Sequence, residues 1–136
     1  MRSLPDKFEP PILAIDWGSR RLGIAISPDG LHGFIRPHIE AANTNEAIQA
    51  VSRLVRDEKI KTVLMGLPIS MDGSEGGTAK QVRRFGQLLT QQVEVAIRYQ
   101  DERLTSKMSS RLVPGAGKGK SDSLAAMLIL ESAMKA

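Results

Sequence analysis

Three places in the chain put acidic or phosphate-contacting groups where ordinary packing has little use for them. In "AIDWGSRRLGIAIS", Ala14 to Ser27, an apolar run is interrupted by Asp16 and then by a glycine and two arginines. An ionised carboxylate taken out of water without a partner is costly. Asp16 therefore belongs at a strand end, with something to bind. In "VEVAIRYQ" the residues Val95, Ile97 and Tyr99 alternate with Ala96, Arg98 and Gln100, and the run ends in a second acidic pair, Asp101 and Glu102. Side chains alternate across a strand, so Asp101 continues the apolar face and Glu102 the polar one. Glu102 is the better candidate for a cleft; Asp101 is the fallback, because alternation can break at a strand end. Between these segments lies "SMDGSEGG", a glycine-rich loop ahead of a helix. Its amides could contact a phosphate, or it could serve as a mobile connection.

Composition limits the chemistry these groups can do. With no cysteine and only His32 and His38, a thiolate or histidine metal centre is excluded, so any metal would be held by carboxylates. A chain of 136 residues fits one domain able to bury a core without disulfides. We read residues 1–136 as that single domain, with 1–10 flexible. The start "MRSLPDKFEPP" is polar and proline-broken, and no apolar run reaches the length of a membrane span. The expectation is a soluble, cytoplasmic protein without membrane contact. A formal charge of +4 points weakly to an anionic partner, of which nucleic acid is the commonest.

The elements that must position these groups follow from periodicity. "ILAI" and "LGIAIS" read as strands, and Pro28-Asp29-Gly30 makes a tight turn into "LHGFIRP", a third strand. Short turns make these three an antiparallel meander. A helix follows, with Ala47, Val51, Leu54 and Val55 on one face and Asn43 with Glu46 as a capping box. "TVLMGLPI" looks like a strand covered on both faces. A helix from about Thr78 to Val93 turns Val82, Phe85, Leu88 and Leu89 inward, and "VEVAIRYQ" is the fifth strand. "PGAGKGK" reads as a flexible loop before the apolar, buried helix "SDSLAAMLILESAM", where Ser121 is a natural cap and Asp122 lies in the first turn. Right-handed crossovers place the later strands parallel to the first on its free side. The fold class is α/β, a five-stranded mixed sheet of order 3-2-1-4-5 with helices on both faces. Asp16, the glycine loop and Asp101-Glu102 then gather beyond the strand ends where the chain departs in both directions, the usual place for a site.

"AIDWGSRRLGIAIS", "VLMGLPISMDGSEGG", "DERLTS" and "DSLAAMLILESAM" resemble the successive motifs of the YqgF family, the RuvX-type Holliday junction resolvases or pre-16S rRNA nucleases, over about Ile12 to Met134. The resemblance implies a ribonuclease H-like fold and a divalent-metal nuclease whose acids lie on the first strand, at the end of the last strand and on the C-terminal helix. Carried over, these are Asp16, Glu102 and Asp122, as catalytic residues and metal ligands. Two Mg²⁺ or Mn²⁺ ions roughly 4 Å apart could stabilise both the attacking hydroxide and the leaving oxyanion, and such hard ions take oxygen ligands. Asp16 would bridge; Glu102 and Asp122 would each complete one ion's shell. Arg20, Arg21, Arg103, Lys107, Lys118 and Lys120 form the candidate phosphate-gripping rim. Trp17 could stack on an unpaired base or pack against a helix. Where relatives often carry a longer basic stretch after "DER", "SKMSSRLVPGAGKGK" is short and moderately basic, which bears on substrate grip.

The expected activity is therefore endonucleolytic cleavage of branched DNA, of precursor ribosomal RNA at its 5' end, or of both. Two other classes compete: a non-catalytic nucleic-acid-binding relative, and a small actin-like ATPase, which would need a second domain to clamp its nucleotide. Carboxylates retained in a basic protein favour the nuclease. Symmetric junction cleavage needs two active sites related by a two-fold axis, which a homodimer would supply; trimming an RNA end needs one.

Overall fold

The computed structural model describes residues 8–18, 20–68, 73, 76–101 and 118–135. Its elements in chain order are β1 (Ile12–Asp16), β2 (Arg21–Ser27), β3 (Phe34–Glu40), α1 (Thr44–Asp57), β4 (Thr62–Leu67), α2 (Gly77–Thr90), β5 (Ala96–Asp101) and α3 (Lys118–Lys135). The strands form one sheet in the order β3-β2-β1-β4-β5. β1, β2 and β3 pair antiparallel, while β4 and β5 run parallel to β1. This is the expected order and direction throughout.

The runs that sit mid-sheet are apolar on both sides because both sides are covered. Leu13 and Ile15 of β1, with Val63 and Met65 of β4, pack under Val51 and Val55 of α1 and Val82 and Phe85 of α2. Ile12, Ala14 and Leu64 face the other way and pack under Ala126, Ile129 and Leu130 of α3. The sheet thus has an α1/α2 face and an α3 face, and odd and even residues of β1 divide between them. α1 and α2 share one face, while α3 is the helix that covers the second among the described residues, which explains its apolar composition. Among the described residues no helix is long and apolar enough to cross a membrane.

α1 opens as the sequence suggests. Asn43 Oδ1 accepts from the Glu46 amide at 2.9 Å, but the returning Glu46 carboxylate accepts from the Ala42 amide, one residue before the cap.

Several boundaries differ from expectation: α2 ends at Thr90 rather than Val93, β5 starts at Ala96 rather than Val93, and β3 runs on to Glu40. The third strand starts at Phe34 rather than Leu31. The Asp29 carboxylate accepts from the amides of Leu31 and His32, both at 2.8 Å, and its other oxygen meets the His32 ring at 2.6 Å. That local network prolongs the turn, in which Gly30 takes a φ of 79°. The His32 ring, with the two amides, also holds the Asp29 carboxyl well below the usual carboxylate range. The last helix begins at Lys118, so Ser121 is not its cap and Asp122 lies beyond its first turn. Lys118, Gly119 and Lys120 are helical, whereas they were expected in the "PGAGKGK" loop; the rest of that loop lies outside the described residues.

Candidate active site

Asp16 ends β1, half-buried, opposite Gly23 of β2. By the alternation that buries Ile12 and Ala14 beneath α3, Asp16 belongs to the α3 face. On its other side, continuing the parallel register from Ile15 opposite Met65 brings Asp16 level with Gly66 of β4, whose partner on β5 is Gln100. Gly23 and Gly66 share that face. The acid is therefore flanked on both neighbouring strands by buried residues without side chains. Gly23 lies inside β2, where the pairing with β3 slips between Leu22 and Ile24.

That slip also fixes α3. Ser123, 2 % exposed, donates its hydroxyl to the Arg36 carbonyl at 2.6 Å and accepts from the Ile24 amide at 3.3 Å. It satisfies backbone groups that an irregular ladder leaves over. Ile24 follows Gly23, the partner of Asp16, so the backbone of Asp122 is tied one residue from an anchor beside the β1 end. Farther along α3, Ser132 Oγ accepts from Gln100 Nε2 at 3.1 Å, which puts the even residues of β5 on the α3 face. Sequence reasoning missed Ser123, whose partners are 99 and 87 residues away; a serine inside an apolar helix is the one signal that could have drawn attention to it.

Asp101 ends β5, half-buried and in line with Ile97 and Tyr99, which pack into the α1/α2 core. Strand alternation therefore places Asp16 and Asp101 on opposite faces. Glu102, Arg103 and Lys107 lie outside the described residues, as does "SMDGSEGG" apart from Gly73, Gly76 and Gly77; α2 begins with Gly76 as its cap residue, without a side-chain cap bond. Arg20 and Arg21 are exposed just after the β1 turn, edging a recess shared with Glu40, Ala41 and Ala42. For Asp122, Lys118 and Lys120 the helical backbone is their described position. Among the described residues no three ligating side chains converge.

Trp17 turns the other way from Asp16. It joins the α1/α2 core, its ring 4.9 Å from Phe85 and tilted by 54°. Packing against a helix is thus the observed role of this ring.

The chain matches the family model described as RuvX, Holliday junction resolvase, over residues 11–136. It is 34 % identical over 128 residues to a protein of Maridesulfovibrio salexigens named "Putative pre-16S rRNA nuclease", covering 89 % of this chain and 95 % of the relative. A protein of the same name from Edwardsiella ictaluri is 38 % identical over 130 residues, with 89 % and 91 % covered. Among solved structures, Thermus thermophilus RuvC in complex with a Holliday junction substrate matches with a TM-score of 0.58 at 12 % identity, covering 91 % of this chain and 95 % of that one. The fowlpox virus resolvase with its Holliday junction DNA matches with a TM-score of 0.59 at 12 % identity, covering 93 % and 97 %. These two likenesses concern the fold.

Proposed function

Because the chain belongs to the RuvX Holliday junction resolvase family, we propose that it is a divalent-metal-dependent endonuclease that hydrolyses phosphodiester bonds in structured nucleic acid: Holliday junctions, the 5' end of precursor 16S ribosomal RNA, or both. The observation that carries this reading is the position of Asp16. A carboxylate stands at the end of the central strand, on the α3 face, between Gly23 and Gly66. Glycine on both adjacent strands means that no neighbouring strand side chain stands beside the acid on that face.

The donor chemistry fits a hard divalent cation, since the candidate ligands are all carboxylates. When bound, Mg²⁺ or Mn²⁺ would lower the barrier to water attack and stabilise the departing oxygen. Asp16 is assigned the shared ligand position. Glu102 is assigned as a second ligand from the sequence, in which the alternation of the fifth strand groups it with Gln100 rather than with Asp101. Asp122 follows from the anchoring of the neighbouring Ser123 over β2. Arg20 and Arg21, with Arg103, Lys107, Lys118 and Lys120, would hold the phosphates on either side of the cut.

The test is cleavage by purified protein of a four-way junction, linear duplex, single strand and structured RNA, with and without Mg²⁺ or Mn²⁺. Cleavage should need the metal and should fall by on the order of 100-fold or more in Asp16→Asn, while the variant's melting temperature stays close to that of the wild type. Undiminished turnover by Asp16→Asn would refute the assignment.

A further inference from the structure

On the side of the sheet away from Asp16, a recess of about 640 Å³ opens between the start of α1 and the outer face of α2. Its volume is that of a small-molecule site. The half-buried Trp17 ring forms its aromatic floor, with Phe85 buried behind it at a tilt of 54°. Around the rim stand the carboxamides of Asn45, Gln81, Gln91 and Gln92 and one guanidinium, Arg84. All five rim side chains belong to exposed residues, and among the described residues that line the recess none is acidic.

This combination is chemically selective. The accessible part of the Trp17 indole can take a flat ring. A carboxamide presents a donor and an acceptor side by side, the pattern that pairs with a base edge, as in Asn or Gln on adenine. A single cation without a nearby acid suits the phosphate attached to that base. Unpaired nucleotides are recognised in this way, by stacking on an aromatic ring and hydrogen bonding along the exposed edge. A paired base offers neither its face nor its Watson–Crick edge.

Position adds the link to cleavage. Trp17 directly follows Asp16, and the two leave the end of β1 toward opposite faces of the sheet. A strand whose phosphate lies at Asp16 can cross the sheet end and deliver a neighbouring base to Trp17. The geometry points to this recess as a binding site for one unpaired nucleobase beside the cut, an assignment that rests on the nuclease reading above. It would make the enzyme favour sites where a nucleotide is unstacked, such as a junction branch point or a single-stranded flank.

Trp17 is the only tryptophan of the chain, so its fluorescence reports on this floor alone. The full-length protein, in EDTA to prevent cleavage, is titrated with a labelled hairpin carrying a three-nucleotide single-stranded overhang. A second hairpin is identical but abasic in the overhang, and a blunt hairpin serves as the paired control. Anisotropy gives affinity and Trp17 emission gives occupancy. We expect saturable quenching by the base-bearing overhang, and affinity about tenfold weaker when the bases are removed. Gln81→Ala and Arg84→Ala should each weaken binding of the base-bearing hairpin about threefold to tenfold, while changing affinity for the blunt hairpin less than twofold. Equal affinity for base-bearing and abasic hairpins, or unchanged affinity in both variants, overturns the base site. If metal-dependent cleavage persists in that case, the nuclease reading stands. Failure of binding and cleavage together overturns both.

Discussion

Two buried serines receive opposite treatment from the fold, and the same one-atom deletion should therefore have opposite effects. Ser123 and Ser52 are each 2 % exposed. The Ser123 hydroxyl bonds the Arg36 carbonyl at 2.6 Å and the Ile24 amide at 3.3 Å, whereas the Ser52 hydroxyl has no partner among the described residues. In Ser123→Ala the Ile24 amide is left buried and unpaired at a cost of about 1–3 kcal/mol, and loss of the shorter bond to the half-buried carbonyl adds about 1 kcal/mol. The better helix propensity of alanine returns about 0.5 kcal/mol. The net loss is about 2.5 kcal/mol, or roughly 9 °C in Tm for a domain of this size. In Ser52→Ala no bond is lost and an unsatisfied hydroxyl is removed, so stability should rise by up to about 1 kcal/mol. Urea unfolding of both variants, with m-values compared to the wild type, checks the pair. Because Ser123 adjoins Asp122, Ser123→Ala should also reduce cleavage at temperatures where the variant remains fully folded. Equal shifts of the two midpoints, or less than about 0.5 kcal/mol between them, would refute the claim that Ser123 secures α3 to the irregular ladder.

Other perturbations follow from the same geometry. Glu102→Gln should reduce metal-dependent cleavage far more than Asp101→Asn, because Asp101 shares its face with Ile97 and Tyr99; single-turnover rates that reverse this ranking would move the ligand to Asp101. Lys118→Ala combined with Lys120→Ala should flatten the dependence of log affinity on log salt by about two units and leave the rate at saturating substrate largely intact. A salt series on a junction and its matched linear duplex measures this, and equal slopes would remove the start of α3 from the binding surface. Gly18→Ala should destabilise the fold by about 1–3 kcal/mol, since a Cβ there would meet the Arg21 carbonyl oxygen at 2.5 Å. Thermal melts would show the loss, and an unshifted Tm would mean that the turn after Asp16 relaxes freely.

The sheet was legible because its central strands advertise their surroundings. "ILAI" and "TVLMGL" are apolar at every position except Thr62 and Gly66, a pattern that only a strand covered on both faces requires, and residues 12–15 and 62–67 are buried without exception. Order then followed from short turns among the first three strands and from crossover handedness for the last two. Boundaries were harder where side chains compete with the backbone. "LHGFIRP" has a strand-like run from its first residue, but the Asp29 carboxylate binds the amides of residues 31 and 32 and delays the strand. At α3 a serine and an aspartate make a persuasive start signal, yet the helix runs back through Gly119 to Lys118. Its position is set instead by Ser123, whose partners no local window contains. Site prediction shared this asymmetry. The apolar run before it was enough to put Asp16 at a strand end, while its glycine neighbours required the register of strands β2 and β4.

That register gives the end of β1 its two chemistries. Asp16 and Trp17 are adjacent, so alternation sends a carboxylate to the α3 face and an aromatic ring to the α1/α2 face. Five antiparallel pairs with β2 and four parallel pairs with β4 hold the strand in place. A slip by one residue would turn Leu13 and Ile15 toward α3, drive the acid into the apolar cluster around Phe85 and put the ring between Gly23 and Gly66. Burial of the odd residues against Val51, Val82 and Phe85 and of the even ones against Ala126 and Ile129 opposes that slip from both sides. The core that makes β1 a stable strand is thus also what keeps the acid and the ring on their separate faces.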